Sequence, residues 1–176
     1  MTETLIAIPT LTTQRLRMRA PRWSDFEAYA AYRASHRTAH VGGPRDRRES
    51  FGDFCALIGH WALRGYGRWI VADRTTDAPL GVVGLYYPED WPGPEIAWTV
   101  FEEAEGRGVA YEAARAARAY AYGTLGWTSA VSLVTEDNLR SQALARRLGA
   151  VEEGEFRHER LGRLVIFRHP GPEAPT

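Results

Sequence analysis

Residues 95–135 read EIAWTVFEEAEGRGVAYEAARAARAYAYGTLGWTSAVSLVT. In EIAWTVF, Ile96, Trp98 and Val100 alternate with Glu95, Ala97 and Thr99, the period-two pattern of a strand. Small residues follow in EGRGVA, then the good helix formers YEAARAARAYAY up to Gly123, then the β-branched run SAVSLVT. Strand, tight turn, helix and strand in that order make a crossover unit, and an α/β fold follows from it. Upstream, RWIVADR, TTDA and PLGVVGLYY predict a hairpin over residues 68–87, with Asp77 near its turn. Downstream, EDNLRSQALARRLGA predicts a short helix stopped by Gly149, and a closing hairpin spans residues 151–168 around Leu161 and Gly162. Toward the start, residues 11–20 alternate as a single strand, with Leu16 and Met18 opposed to Arg15, Arg17 and Arg19. Ser24 and Glu27 have capping-box spacing before a first helix. Residues 36–48 read as a loop, and a second helix presents Phe51, Phe54, Cys55, Ile58 and Trp61 before Gly65. One domain is expected over residues 1–169, with PGPEAPT a tail over 170–176.

The 176 residues hold 22 Lys plus Arg, all of them Arg, and 22 Asp plus Glu, so the formal charge is zero. Nucleic-acid binding by a basic face is disfavoured, because counterion release runs on positive charge and a balanced chain offers no global excess of it. With one cysteine no internal disulfide forms, and a cytoplasmic setting is expected. The opening MTETLIAIPTLTTQ has no basic segment before a long apolar run, so neither a leader nor a membrane span is expected. The 44% hydrophobic content supplies a core without help from a metal.

The chemistry gathers at Glu105-Gly106-Arg107-Gly108-Val109-Ala110, where small residues at a helix N-terminus let backbone N–H groups approach a pyrophosphate. A plain structural turn is the competing reading. The loop lacks the Lys-Ser/Thr of a P-loop and the three glycines of the dinucleotide fingerprint, so ATP and NAD fit poorly.

The order of EIAWTV, EGRGVA, YEAARAARAYAY, SAVSLVT and EDNLRSQALARRLGA resembles the GNAT superfamily of acetyl-CoA-dependent N-acetyltransferases, and LTTQRLRMRAPRWSDFEAYAAY resembles the opening of its Rim-type branch, which acetylates protein N-termini. The resemblance implies a mixed, mostly antiparallel sheet of about six to seven strands with about four helices, its fourth and fifth strands splayed by a bulge. It implies no metal and acetyl-CoA as co-substrate, attacked directly by a primary amine. Members are commonly dimers. The family's loop begins with Gln or Arg, whereas Glu105 stands here; Gly108 and Ala110 match. Arg107, Arg140, Arg146 or Arg147 could offset that acid, or be solvated helix residues. Backbone groups of Trp98, Thr99 and Val100 would hold the pantetheine arm and the thioester oxygen. Asn138 would lie near the pantetheine, or only cap a helix, and Ser141 would protonate the leaving thiolate. Glu95 would take the amine's proton through water, or be a solvent-facing strand residue.

The acceptor would sit between residues 40–48 and 86–95, where Tyr86, Tyr87, Asp90 and Trp91 either cradle an amine or form a packed loop. It could be a protein N-terminus or a small amine. His36 and His40 have helical zinc-ligand spacing without the accompanying Glu, and Cys55 is expected to be a buried hydrophobe. A non-catalytic acyl-CoA-binding regulatory domain is the alternative function.

Overall fold

Asp73 turns the chain between two of the strands that carry everything else: its Oδ1 accepts the N–H groups of Thr75 and Thr76, and Asp77 closes the turn at φ +60°. This hairpin of β3 (Arg68–Asp73) and β4 (Pro79–Tyr86) is the one expected. The computed structural model describes residues 6–172. Positions 173–176 of the expected tail, and MTETL of the opening stretch, lie outside the described residues.

Around the hairpin stand β1 (Leu11–Thr12), β2 (Leu16–Arg19), β5 (Glu95–Val100), β6 (Val131–Thr135), β7 (Val151–His158) and β8 (Gly162–Arg168). They form one eight-stranded sheet in the order β1-β2-β3-β4-β5-β6-β8-β7. Every neighbouring pair is antiparallel except β5 and β6. The class is the expected mixed α/β sheet, with one strand more at its edge.

That additional strand corrects the reading of residues 11–20. The Thr13 hydroxyl accepts the Leu16 N–H and the Thr13 N–H donates to the Leu16 carbonyl, folding the stretch into a β1–β2 hairpin. Arg19 is 4% exposed rather than solvent-facing, because Asp25 accepts both terminal guanidinium nitrogens at 2.8 and 2.9 Å. The entry to α1 (Phe26–Ala34) also differs: Asp25 receives the Arg22 N–H, and Glu27 pairs with Arg47.

Residues 36–48 are not wholly irregular, since His36–Val41 forms a 3₁₀ helix. Then α2 (Arg47–Arg64) opens on a reciprocal cap between Asp46 and Glu49 and ends on Gly65 at φ +75°. Its buried face is Ser50, Phe54, Leu57 and Trp61, while Phe51 and Ile58 turn outward and Cys55 is exposed. Apolar residues surround this helix, so their spacing alone did not fix which stripe faces the sheet.

The helices cover both faces. Phe26, Tyr29, Phe54 and Leu57 of α1 and α2 pack on Ile70, Val82 and Phe101. On the opposite face α3 (Val109–Gly123) lays Ala113, Ala114, Ala117 and Ala121 against a layer that includes Trp69, Val83, Leu85 and Ile96. Four alanines on one stripe bring helix and sheet close together. The short α4 (Leu139–Arg147) covers Val134 and Phe167 through Ala145.

Candidate active site

The parallel pair in the sheet barely pairs. β5 and β6 share one registered contact, Glu95 opposite Val131, after which side chains take over the hydrogen bonds of the ladder. The Leu133 N–H donates to Glu95 Oε1 at 3.0 Å, and Ser132 Oγ donates to the Ile96 carbonyl at 2.6 Å. Ser132 in turn meets His169 Nε2 at 2.9 Å, and His169 Nδ1 meets the Arg118 guanidinium at 3.2 Å. Burial and the nearby Arg118 charge push the His169 imidazole down to about 4, so it is neutral, an Nε2–H donor to Ser132 and an Nδ1 acceptor from Arg118.

The strands therefore separate without the bulge that the resemblance implied: the β4–β5 register runs unshifted from Tyr86 opposite Glu95 to Gly81 opposite Val100. Phe101 donates its N–H to Leu80, so by alternation Trp98 and Val100 turn their backbone groups into the opening while Thr99 faces β4. Of the three residues expected to offer backbone there, two do so. The Thr99 side chain lines the cavity instead.

At the end of the opening, residues 105–108 turn into α3. Gly106 and Gly108 have φ of +71° and +77°, where a side chain is strained. The backbone N–H groups of residues 106–111 find no acceptor among the described residues, and they gather at the positive end of the helix dipole. Arg15 braces the turn from behind, reaching the Arg107 carbonyl at 2.8 Å and Glu112 at 2.7 Å. Glu105 meets Arg37 at 2.5 Å and Arg140 at 2.9 Å. Burial pushes its carboxyl up, but these two partners outweigh that effect and hold it below the ordinary value, ionised and neutralised. Of the four arginines named for this acid Arg140 is the one that pairs with it; Arg107, Arg146 and Arg147 reach the Glu103 carbonyl, Glu152 and the Tyr111 ring.

Next to the opening lies a cavity of about 600 Å³. Glu95, Trp98, Asn138 and Ser141 line it together. Asn138 caps α4, its Oδ1 accepting the Ser141 N–H at 3.2 Å, and it borders the cavity as well. Trp98 donates its indole N–H to Ser141 Oγ at 3.2 Å. An indole nitrogen only donates, so the serine's own hydrogen is free for another acceptor.

Glu95 is 5% exposed and not solvent-facing. Desolvation pushes its carboxyl up to about 7, against the Leu133 and Trp91 hydrogen bonds, which favour the ionised form. Tyr86 and Trp91 join the lining; Tyr87 and Asp90 do not. Tyr87 lies under the Arg64 guanidinium and donates its N–H to His60, and Asp90 pairs with His158 at 3.0 Å. His40 reaches Thr135 and Asp137, while His36 is exposed; three residues per turn do not align positions four apart.

The sequence reading missed the wall supplied by α1, α2, β3 and the β7–β8 turn, including Tyr29, Arg33, Asp53, Arg68 and Leu161. Arg33, directly after the apolar run 28–32 of α1, and His60, directly before Trp61 of α2, were the available signal.

The sequence profile of the acetyltransferase (GNAT) domain matches residues 15–151. Among solved structures, an acetyltransferase from Agrobacterium tumefaciens is 33% identical over 96% of this chain and 98% of that one, with a TM-score of 0.85. A Bordetella pertussis protein described as GNAT-family is 24% identical over 92% and 99%, with a TM-score of 0.78. RimL, a ribosomal α-N-protein acetyltransferase in complex with coenzyme A, is 17% identical over 92% and 98%, with a TM-score of 0.76. These last two share the fold.

Proposed function

This chain belongs to the acetyltransferase (GNAT) domain family, and from that premise we propose that it moves the acetyl group of acetyl-CoA to a primary amine by direct attack, with both substrates bound. The observation that carries this reading is a set of unused backbone donors at the start of α3 and along β5. It comprises the amides of residues 106–111 and the backbone groups of Trp98 and Val100 in the β5–β6 opening, beside which stands the carboxyl of Glu95. A pyrophosphate suits the first, an amide-bearing arm the second, and an amine the third.

Acetyl-CoA supplies the acetyl group as an activated thioester. The chain's own residues do the rest. Residues 106–111 bind the pyrophosphate, with Glu105 kept harmless by Arg37 and Arg140. Trp98 and Val100 orient the arm. Glu95, titrating near neutrality, takes the proton of the amine, directly or through one water. Ser141, with the indole of Trp98 on its oxygen, offers its hydrogen to the leaving sulfur. Tyr86 and Trp91 exclude water around the amine.

Rim-type proteins are among the structural neighbours along with other acetyltransferases, which supports that branch as a proposal. A cytoplasmic setting accompanies it.

Thermal unfolding with acetyl-CoA, CoA, ATP and NAD tests the reading. At about 100 times its dissociation constant a ligand adds about 2.7 kcal/mol, a rise of roughly 5–11 °C for a domain of this size. Only the two CoA species should give it, and release of free thiol on an amine panel should follow. Absence of stabilisation by both would overturn the proposal, and CoA binding without turnover would favour the regulatory alternative.

A further inference from the structure

The cavity wall is cationic. Arg33, Arg45, Arg68 and Arg160 line it against Asp53 and Glu95. Arg33 meets Asp53 at 2.7 Å and Arg45 meets Glu49 at 2.9 Å, so their charges are spent within the protein. The Arg68 guanidinium has no carboxylate or carbonyl partner among the described residues; it lies over the Tyr86 ring, 4.4 Å from its centroid. A guanidinium held over an aromatic face, with its N–H donors unused, is preorganised for a bidentate anion.

The sheet register places it relative to the chemistry. Arg68 stands opposite Gly84, Gly84 opposite Ala97, and Tyr86 opposite Glu95. Arg68 and Glu95 are therefore two strands and one row apart, about 12 Å between Cα atoms, with Gly84, Ala97 and the Tyr86 side chain on the floor between them. Overhead, Leu161 of the β7–β8 turn reaches within 3.5 Å of where a Cβ on Gly42 would stand, and His158 ties the same hairpin to Asp90. That roof favours a small acceptor over a protein surface.

We propose that Arg68 selects the acceptor: the site takes a small primary amine that also carries a carboxylate, with the amine at Glu95 and the carboxylate on the guanidinium. This rests on the acetyl-transfer reading above. Transfer forms the amide N–C bond, breaks the thioester C–S bond, and passes one proton from the amine to Glu95 and one from Ser141 to the sulfur, the two residues then restored by solvent exchange. A polyamine, cationic throughout, is disfavoured by the same wall.

The test compares ω-amino acids from glycine to ε-aminohexanoate with their carboxamides, with n-butylamine, and with a short peptide whose first residue is acidic. The best ω-amino acid should exceed its carboxamide in kcat/KM by about tenfold or more, the range of a charge-assisted hydrogen bond. Arg68→Met should remove that preference and Arg68→Lys keep part of it, with the lysine variant deciding the matter if the methionine one does not fold. Equal rates for acid and carboxamide, a preference untouched in both variants, or a peptide better than every ω-amino acid would overturn the proposal. Thermal stabilisation of the CoA-bound protein by the same amino acids, lost in Arg68→Met, reads the anion site without turnover. Stabilisation of that kind without any transfer would sink the acetyl-transfer reading alone, and transfer without carboxylate preference would sink this one alone.

Discussion

Glu95 has one duty in the fold and a second in the proposed reaction, and a single substitution can separate them. Its Oε1 holds the Leu133 N–H, and its proton affinity near neutrality suits a base. Gln keeps an acceptor for Leu133 and cannot take a proton; Ala removes both. Glu95→Gln should lower kcat by about 10²–10⁴-fold and abolish the limb of the pH–rate profile near pH 7, with acetyl-CoA stabilisation retained. Glu95→Ala should lose that stabilisation too. A pH profile unchanged in Glu95→Gln would show that another group takes the proton. The residue was legible in the sequence as a candidate, because it begins the strand before a glycine-rich loop. Its burial was not, since that depends on Trp91 arriving four residues earlier and Leu133 thirty-eight residues later. Tyr87 and Asp90 were misjudged for a related reason: alternation puts Tyr86, not Tyr87, on the face of Glu95, and His158 draws Asp90 outward.

At the level of elements, periodicity identified the strands and helices whose pattern had one solution. The β3–β4 hairpin and the β7–β8 hairpin carry turn residues between alternating runs, and α3 carries an alanine stripe. The pattern failed on α2, ringed with apolar residues, and on residues 11–20, where a threonine side chain folds the stretch back on itself. The alanine stripe has an energetic consequence. Ala117 is 0% exposed between helix and sheet, so Ala117→Leu must push α3 away from Trp69 and Val83. Overpacking of this kind costs about 1–3 kcal/mol. Because α3 begins at the loop of residues 105–108, the shift should also weaken acetyl-CoA. Urea unfolding and acetyl-CoA titration of the variant measure both, and an unaltered unfolding midpoint would mean that the interface has slack.

Over the whole molecule, two buried groups act on stability in opposite senses. The Glu95 carboxyl rises from 4.5 to about 7 on folding, so its stabilisation is complete below pH 4.5 and is lost as pH rises through 7. The His169 imidazole falls from 6.5 to about 4, so its contribution is present above pH 6.5 and is lost as pH falls through 4. Each is worth about 3 kcal/mol at most, and between pH 4.5 and 6.5 their slopes cancel. Glu95→Gln should uncover the histidine alone, a loss of about 1.4 kcal/mol per pH unit on acidification through that window, read from urea unfolding at several pH values. A native-like flat profile in the variant would refute the pairing. Neither group could be weighed from the sequence, because each shift depends on burial created by the complete fold. The carboxylate that spreads β5 from β6 also limits how such a chain can drift. A descendant released from selection for turnover, yet still prized for holding its ligand, could trade Glu95 for Gln but not for Leu, since an aliphatic side chain would leave the Leu133 amide unanswered and let the cleft zip shut. Silent relatives of an enzyme built this way would then be recognised by a one-atom change at that position, oxygen to nitrogen, in a groove otherwise intact.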